Sequence, residues 1–161
     1  MTEAEDSIVS QLIAIVYGVT LVLVTVTFHM IYLIGSARYI RYIATSRHRF
    51  PTLQPALILS IAAIGMMIVH IAESCLWALL YFIAGQTSSI QEALYFSIVT
   101  ATTVGYGDVT LQGDWRIVVS WQAMSGLLLF GASTAALFQL VLYLSPITEP
   151  NWKQPELIDT P

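Results

Sequence analysis

The chain has 161 residues, of which 57% are hydrophobic and only 10% charged, with a formal net charge of −4. Its mean hydropathy of +0.74 lies outside the range of a soluble domain and selects an integral membrane protein. The six Lys and Arg are too few for the basic surface that nucleic-acid binding needs, and one cysteine, Cys75, excludes an intrachain disulfide or a thiolate cluster within one subunit.

Acidic residues Glu3, Glu5 and Asp6 occupy the positions where a cleavable signal peptide carries positive charge, so the first apolar segment is expected to stay in the mature protein. Ile8 to Ile34 contains no Asp, Glu, Lys or Arg and gives about 40 Å of helix, enough to cross a bilayer with tilt. His29, inside it, is read as a packing or interfacial residue rather than a ligand. Gly35 to Ala56 carries Arg38, Arg41, Arg47 and Arg49 and two prolines, and is read as a basic loop. Arg38 and Arg41, three apart, would snorkel on one side if the helix continues into the headgroups, where anionic lipid is a partner for the four arginines.

Leu57 to Leu80 forms the second span, interrupted by His70, Glu73 and Cys75, and ends before a turn at Gly85–Ser89. Ser88 or Ser89 caps a helix over Ile90–Ala101, with Glu92 in its first turn, but this helix is only about 18 Å long and cannot cross the hydrocarbon. It should enter the membrane and return. The return runs through Thr102, Thr103, Val104, Gly105, Tyr106, Gly107 and Asp108. The third span then extends from about Ile117 to Leu144, before Pro146 and Pro150. Irregular, glycine-bearing backbone at membrane depth is tolerated only where protein buries it or it lines a water-filled path.

A re-entrant segment puts the N-terminus and pore mouth outside and the basic loop and C-terminus in the cytoplasm. Arg38, Arg41, Arg47, Arg49 and Lys153 are then inside and only Arg116 outside, as the positive-inside rule prefers. The chain has no internal repeat of the re-entrant unit, so a ring of backbone carbonyls around an ion requires several copies. Successive carbonyls of an extended Thr103–Gly107 strand, with the Thr103 hydroxyl innermost, replace the water of a dehydrated potassium ion, while Gly105 and Gly107 admit backbone angles a Cβ would oppose.

Over about Pro55 to Leu144 the chain resembles the potassium-channel pore-domain family: outer helix, pore helix, signature filter and inner helix, the match being most specific at Thr102–Val109. The resemblance implies an all-α membrane protein with three transmembrane helices, a re-entrant pore helix and a filter strand, assembled as a homotetramer that conducts K+ passively. No other cofactor is implied. It divides the chain into a peripheral helix and basic loop (1–54), a pore domain (55–145) and a short cytoplasmic tail (146–161), in a plasma or cell membrane. By the same resemblance Thr103, Val104, Gly105, Tyr106 and Gly107 coordinate K+, and Tyr95, Phe96, Val99, Thr102 and Asp108 support the filter. Phe96 departs from the family pattern in lacking the donor a tryptophan would offer to Tyr106.

Gly126 falls at the family's inner-helix hinge, although glycine serves close packing equally well; Gly131 is a second small position. From Gly126, Phe130, Thr134, Phe138 and Leu142 recur every fourth residue, with Ala135 beside them, and are read as cavity and inner constriction or as ordinary helix packing. The residues leave open whether the gate is this bundle or the filter. Neither an Arg/Lys repeat in the first span nor a nucleotide- or calcium-binding domain after Ser145 is recognisable.

Glu73 is the one carboxylate within a span. Counting from Pro55 puts it about 27 Å along its helix, near the outer interface, reached by water or headgroups or else steadying the filter scaffold, with His70 modulating its proton affinity. His70 and Glu73 offer a base and an acid by type, yet no nucleophile or soluble pocket accompanies them, so no enzyme is expected. The rival functions are a non-conducting pore-like subunit and, more remotely, a transporter, which the lack of paired discontinuous spans disfavours.

Overall fold

The computed structural model describes residues 3–44 and 53–144, and all the regular secondary structure among them is helical. Four helices follow in order: α1 (Glu3–Ala44), α2 (Leu53–Ile83), α3 (Ile90–Ala101) and α4 (Trp115–Leu144). Three of them, over Ile8–Tyr42, Leu53–Ile83 and Trp115–Leu144, are long and apolar enough to cross a membrane. Arg47, Arg49, Lys153 and the tail from Ser145 lie outside the described residues.

The spans are longer than the sequence suggests. The expected loop start at Gly35 is corrected by α1, which continues to Ala44 and carries Arg38 and Arg41 on helix. One glycine costs a helix roughly 1 kcal/mol, too little to stop an apolar run flanked by good helix formers. Pro55 does not delay α2, which starts at Leu53. In the first turn its missing N–H is one the helix would leave unpaired anyway. At the other end α2 closes through Gly85 at φ 68, beyond which the chain turns toward α3.

Helix α3 has the predicted bounds. Ser89 caps it, its Oγ accepting the Glu92 backbone N–H at 3.1 Å, while the Glu92 carboxylate accepts the Ser88 N–H at 2.7 Å and the Ser88 hydroxyl. These reciprocal bonds satisfy donors that a helix start leaves open, and the Ser88 hydroxyl holds the Glu92 carboxyl below its ordinary range.

Helix α3 packs against α2 and α4, and α1 lies along α4 and α2. The apolar core joins Ala14 of α1, Trp77 and Tyr81 of α2, Phe96 of α3, Leu111, and Val118 of α4. Phe96 meets the Tyr81 ring edge-on, centroids 5.3 Å apart. Many large apolar side chains remain exposed on α1, α2 and α4, which a bilayer, unlike water, accepts without cost.

Candidate functional site: the return segment and its scaffold

The segment after α3 is tied back to that helix. The Val104 and Gly105 N–H groups both donate to the Val99 carbonyl, at 3.1 and 3.4 Å, and Thr103 N–H donates to Thr100 O at 3.0 Å. The Thr102 hydroxyl donates to Ile98 O at 2.7 Å. Carbonyls that a helix C-terminus leaves unpaired are thus spent on turning the chain around.

Beyond the turn the backbone alternates in hand. Thr103, Gly105 and Gly107 have φ of 59, 57 and 79°, while Val104 and Tyr106 between them are not in the positive region. A Cβ at φ near +60° is disfavoured, which accounts for glycine at two of the positions and makes Thr103 the one strained side chain among the described non-glycine residues. No strand ladder forms, and Val104 and Tyr106 are 52% and 71% exposed. At the far end the Tyr95 hydroxyl donates to Asp108 Oδ2 at 2.7 Å. That bond holds the Asp108 carboxyl below its usual value and also joins the outer end of the segment to the helix that leads into it.

A neutral polar chain fixes α3 from behind. Tyr81 OH donates to Gln122 Oε1 at 2.8 Å; Gln122 Nε2 donates to Ser97 Oγ at 2.7 Å and Ser97 O at 3.1 Å; Ser97 Oγ donates to Ser74 O at 2.8 Å. Gly126 of α4 lies directly on the end of α3, where an added Cβ would meet the Ala101 carbonyl and come within 2.9 Å of the Ala101 Cα. The geometry therefore favours close packing over hinge among the two readings of Gly126. Gly131 has open space around it.

A second, ionisable cluster links α1 to the rest. His29 is fully buried, its Nδ1 2.9 Å from Glu73 Oε1 and its Nε2 2.9 Å from Ser133 Oγ. His70 reaches the same two partners, Nε2 3.0 Å from Ser133 Oγ and Nδ1 3.3 Å from Glu73 Oε2. Glu73 is only 5% exposed, and its direct partners are the imidazoles of His29 and His70 rather than α3 or α4. His29, read from the sequence as a packing or interfacial residue, is one of the two residues that answer it. The signal was present: His29 and Glu73 are ionisable groups in otherwise apolar spans, and such groups call for each other.

Of the other positions on α4, Phe130 stacks flat on His70 with centroids 3.9 Å apart. The Thr134 hydroxyl donates to its own helix at Phe130 O, and Phe138 and Leu142 are exposed on the single chain. Sequence reasoning did not single out Tyr81, Ser97, Gln122 or Ser133, because Ser and Gln in an apolar helix give no pattern until partners are in place.

Three apolar helices of this length define an integral multi-pass membrane protein. Residues 56–143, more than half of the chain, match the family described as Ion channel, and the chain belongs to that family. Proteins of this kind transport ions and are not enzymes. No curated protein and no solved structure gave a significant match.

Proposed function

We propose that the chain is a potassium-selective channel subunit, four copies of which surround one pore lined by Thr103, Val104, Gly105, Tyr106 and Gly107. The observation that carries this reading is the alternation of φ at Thr103, Gly105 and Gly107. Residues of alternating hand turn successive N–H groups to one side of the backbone and successive carbonyls to the other. A column of carbonyls suits a bare monovalent cation, and a ring of such columns replaces its hydration shell. Two features support it. Helix α3 ends beneath the segment, and the negative end of its dipole favours a cation there. The exposed Val104 and Tyr106 need cover at membrane depth that one chain does not supply, whereas identical neighbours arranged about an axis do.

On this reading α3 is a re-entrant pore helix and residues 55–145 form the pore domain, with 1–54 peripheral and 146–161 a cytoplasmic tail. The N-terminus and filter face outward in a plasma or cell membrane. Tyr95, Phe96, Val99, Thr102 and Asp108 brace the filter; Gly126, Phe130, Thr134, Ala135, Phe138 and Leu142 belong to the inner-helix face, with Phe138 the first candidate for a dewetting constriction. Arg38 and Arg41, on the last turns of α1, sit toward anionic cytoplasmic lipid.

Reconstitution of purified protein into liposomes tests the reading. Unitary currents carried by K+ and not Na+, from a species whose native mass is that of a tetramer, are expected. Absence of unitary current from folded tetramer favours a non-conducting subunit, and a conducting monomer or trimer overturns the fourfold pore.

A further inference from the structure

The His29–Glu73–His70–Ser133 cluster brings two imidazoles, a carboxylate and a hydroxyl together through four contacts. The His29 side chain is fully buried, and those of Glu73 and His70 are 6% and 12% exposed. A buried carboxylate is stable where a positive group or hydrogen-bond donors answer it, and a metal cation is one such group. Its position is defined by where the lone pairs converge. If both Nε2–H groups donate to Ser133 Oγ, which has two lone pairs to accept them, both Nδ1 atoms face the Glu73 carboxylate bare.

We propose that His29 Nδ1, His70 Nδ1 and the Glu73 carboxylate bind a divalent transition-metal ion of the Zn2+ class, which bolts α1 to α2. One donor atom from each of these residues lies within 4.8 Å of the others. A tetrahedral ion with bonds of about 2.0–2.1 Å holds its ligands on the order of 3.3 Å apart, close to the 2.9 and 3.3 Å that separate the two Nδ1 atoms from the Glu73 oxygens, so a small adjustment of the side chains supplies three ligands and leaves the fourth position to a water. Two imidazoles and one carboxylate suit Zn2+ and its neighbours, whereas Mg2+ and Ca2+ take oxygen ligands. Ser133 of α4 is not a ligand here. It plays the part that hydrogen-bond acceptors behind metal-bound histidines commonly play, fixing tautomer and ring orientation, and it does so for both rings at once. Flat stacking on Phe130 further restrains His70.

His70 also lines a mostly apolar cleft of about 550 Å3, bordered by Ile98, Thr102, Phe130 and Thr134, and its side chain is 12% exposed, the most exposed of the three proposed ligands. Binding displaces to solvent any proton held between the carboxylate and the two Nδ1 atoms. The site joins the peripheral helix to the helix that carries α3, whatever ion the protein conducts.

Titration of metal-stripped, full-length protein with Zn2+, by calorimetry and by the visible absorption of bound Co2+, tests the proposal without any current measurement. One ion per chain is expected, with a raised melting temperature. His29→Gln and Glu73→Gln should each weaken binding at least ~100-fold, and Ser133→Ala by roughly 10–100-fold, the effect usual for an outer-shell acceptor. His48→Gln and Cys75→Ser should leave it unchanged, with helicity confirming that every variant folds. Absence of saturable one-per-chain binding, or binding that survives His29→Gln in folded protein, overturns the proposal. So does a melting temperature that follows pH but ignores Zn2+, which would make the cluster a purely proton-filled hydrogen-bond ring.

Discussion

Two buried polar networks cross this helical bundle at adjacent levels of α2, and they are built on opposite principles. The chain Tyr81–Gln122–Ser97–Ser74 is neutral, and each link pairs a donor with an acceptor inside the protein. The His29–Glu73–His70–Ser133 cluster is ionisable, two imidazoles sharing one carboxylate and one hydroxyl. Glu73 and Ser74 are sequence neighbours, so a single residue step along α2 separates the neutral chain from the ionisable cluster. A self-sufficient network holds a geometry under all conditions, which is what α3 needs if it is to aim the return segment. With the proposed ion in the second cluster, the attachment of α1 becomes conditional on that ion.

The largest expected effect comes from breaking what the neutral network supports without touching the network. Gly105 has φ 57 and open space around it, so Gly105→Ala adds backbone strain and no clash. Selective K+ flux in liposomes should vanish while the melting temperature barely moves; normal selectivity in folded Gly105→Ala protein would sink the filter assignment.

Gln122→Leu comes next. It strands the buried Tyr81 hydroxyl and removes the Gln122 donor from Ser97, at about 1–3 kcal/mol of stability. The sharpening lies in a comparison with His29→Gln: the Gln122→Leu loss should be the same with and without added Zn2+, whereas the His29→Gln loss should be evident mainly when Zn2+ is present. Denaturation in both conditions reads this, and an equal response of the two variants to the ion would erase the distinction between the two networks.

Gly126→Ala pushes a methyl against the Ala101 backbone, and overpacking of this kind costs about 1–3 kcal/mol. Destabilisation accompanied by lost selectivity would confirm that Gly126 sets the seat of α3. Unchanged stability with altered gating would return it to the hinge reading.

Tyr95→Phe should have the smallest effect, because the Tyr95–Asp108 bond is exposed. The bond lowers the Asp108 pKa, so its contribution is present above the ordinary carboxyl range and is lost as pH falls through the depressed value. Removing the hydroxyl should move Asp108 protonation to higher pH, which infrared titration of its carboxyl band would follow. An unshifted midpoint would show that the tyrosine contributes nothing to that charge.

The parts legible in the sequence were those governed by local rules. Helix α3 could be bounded because Ser89, Glu92 and the turn at Ala101–Thr102 are local signals. The spans could be counted from uncharged runs, although their ends could not, since Gly35 and Pro55 are breakers only where the helix has no stronger reason to continue. The seam between α1 and the other helices was illegible for a different reason. His29 and Glu73 are 44 positions apart, and His29 and Ser133 are 104 apart. No local periodicity encodes such pairings; they follow from how α1 is rotated against α2 and α4.

Exposure of Val104 and Tyr106 has a consequence for the order of events during synthesis. The scaffold of α2, α3 and α4 closes its polar chain within one polypeptide, so it matures as soon as α4 has entered the bilayer. Val104 and Tyr106 in the return segment lack apolar cover within the single chain. On the proposed reading, a newly made subunit is therefore sealed to ions while it diffuses alone, and permeability is switched on by lateral encounter rather than by translation.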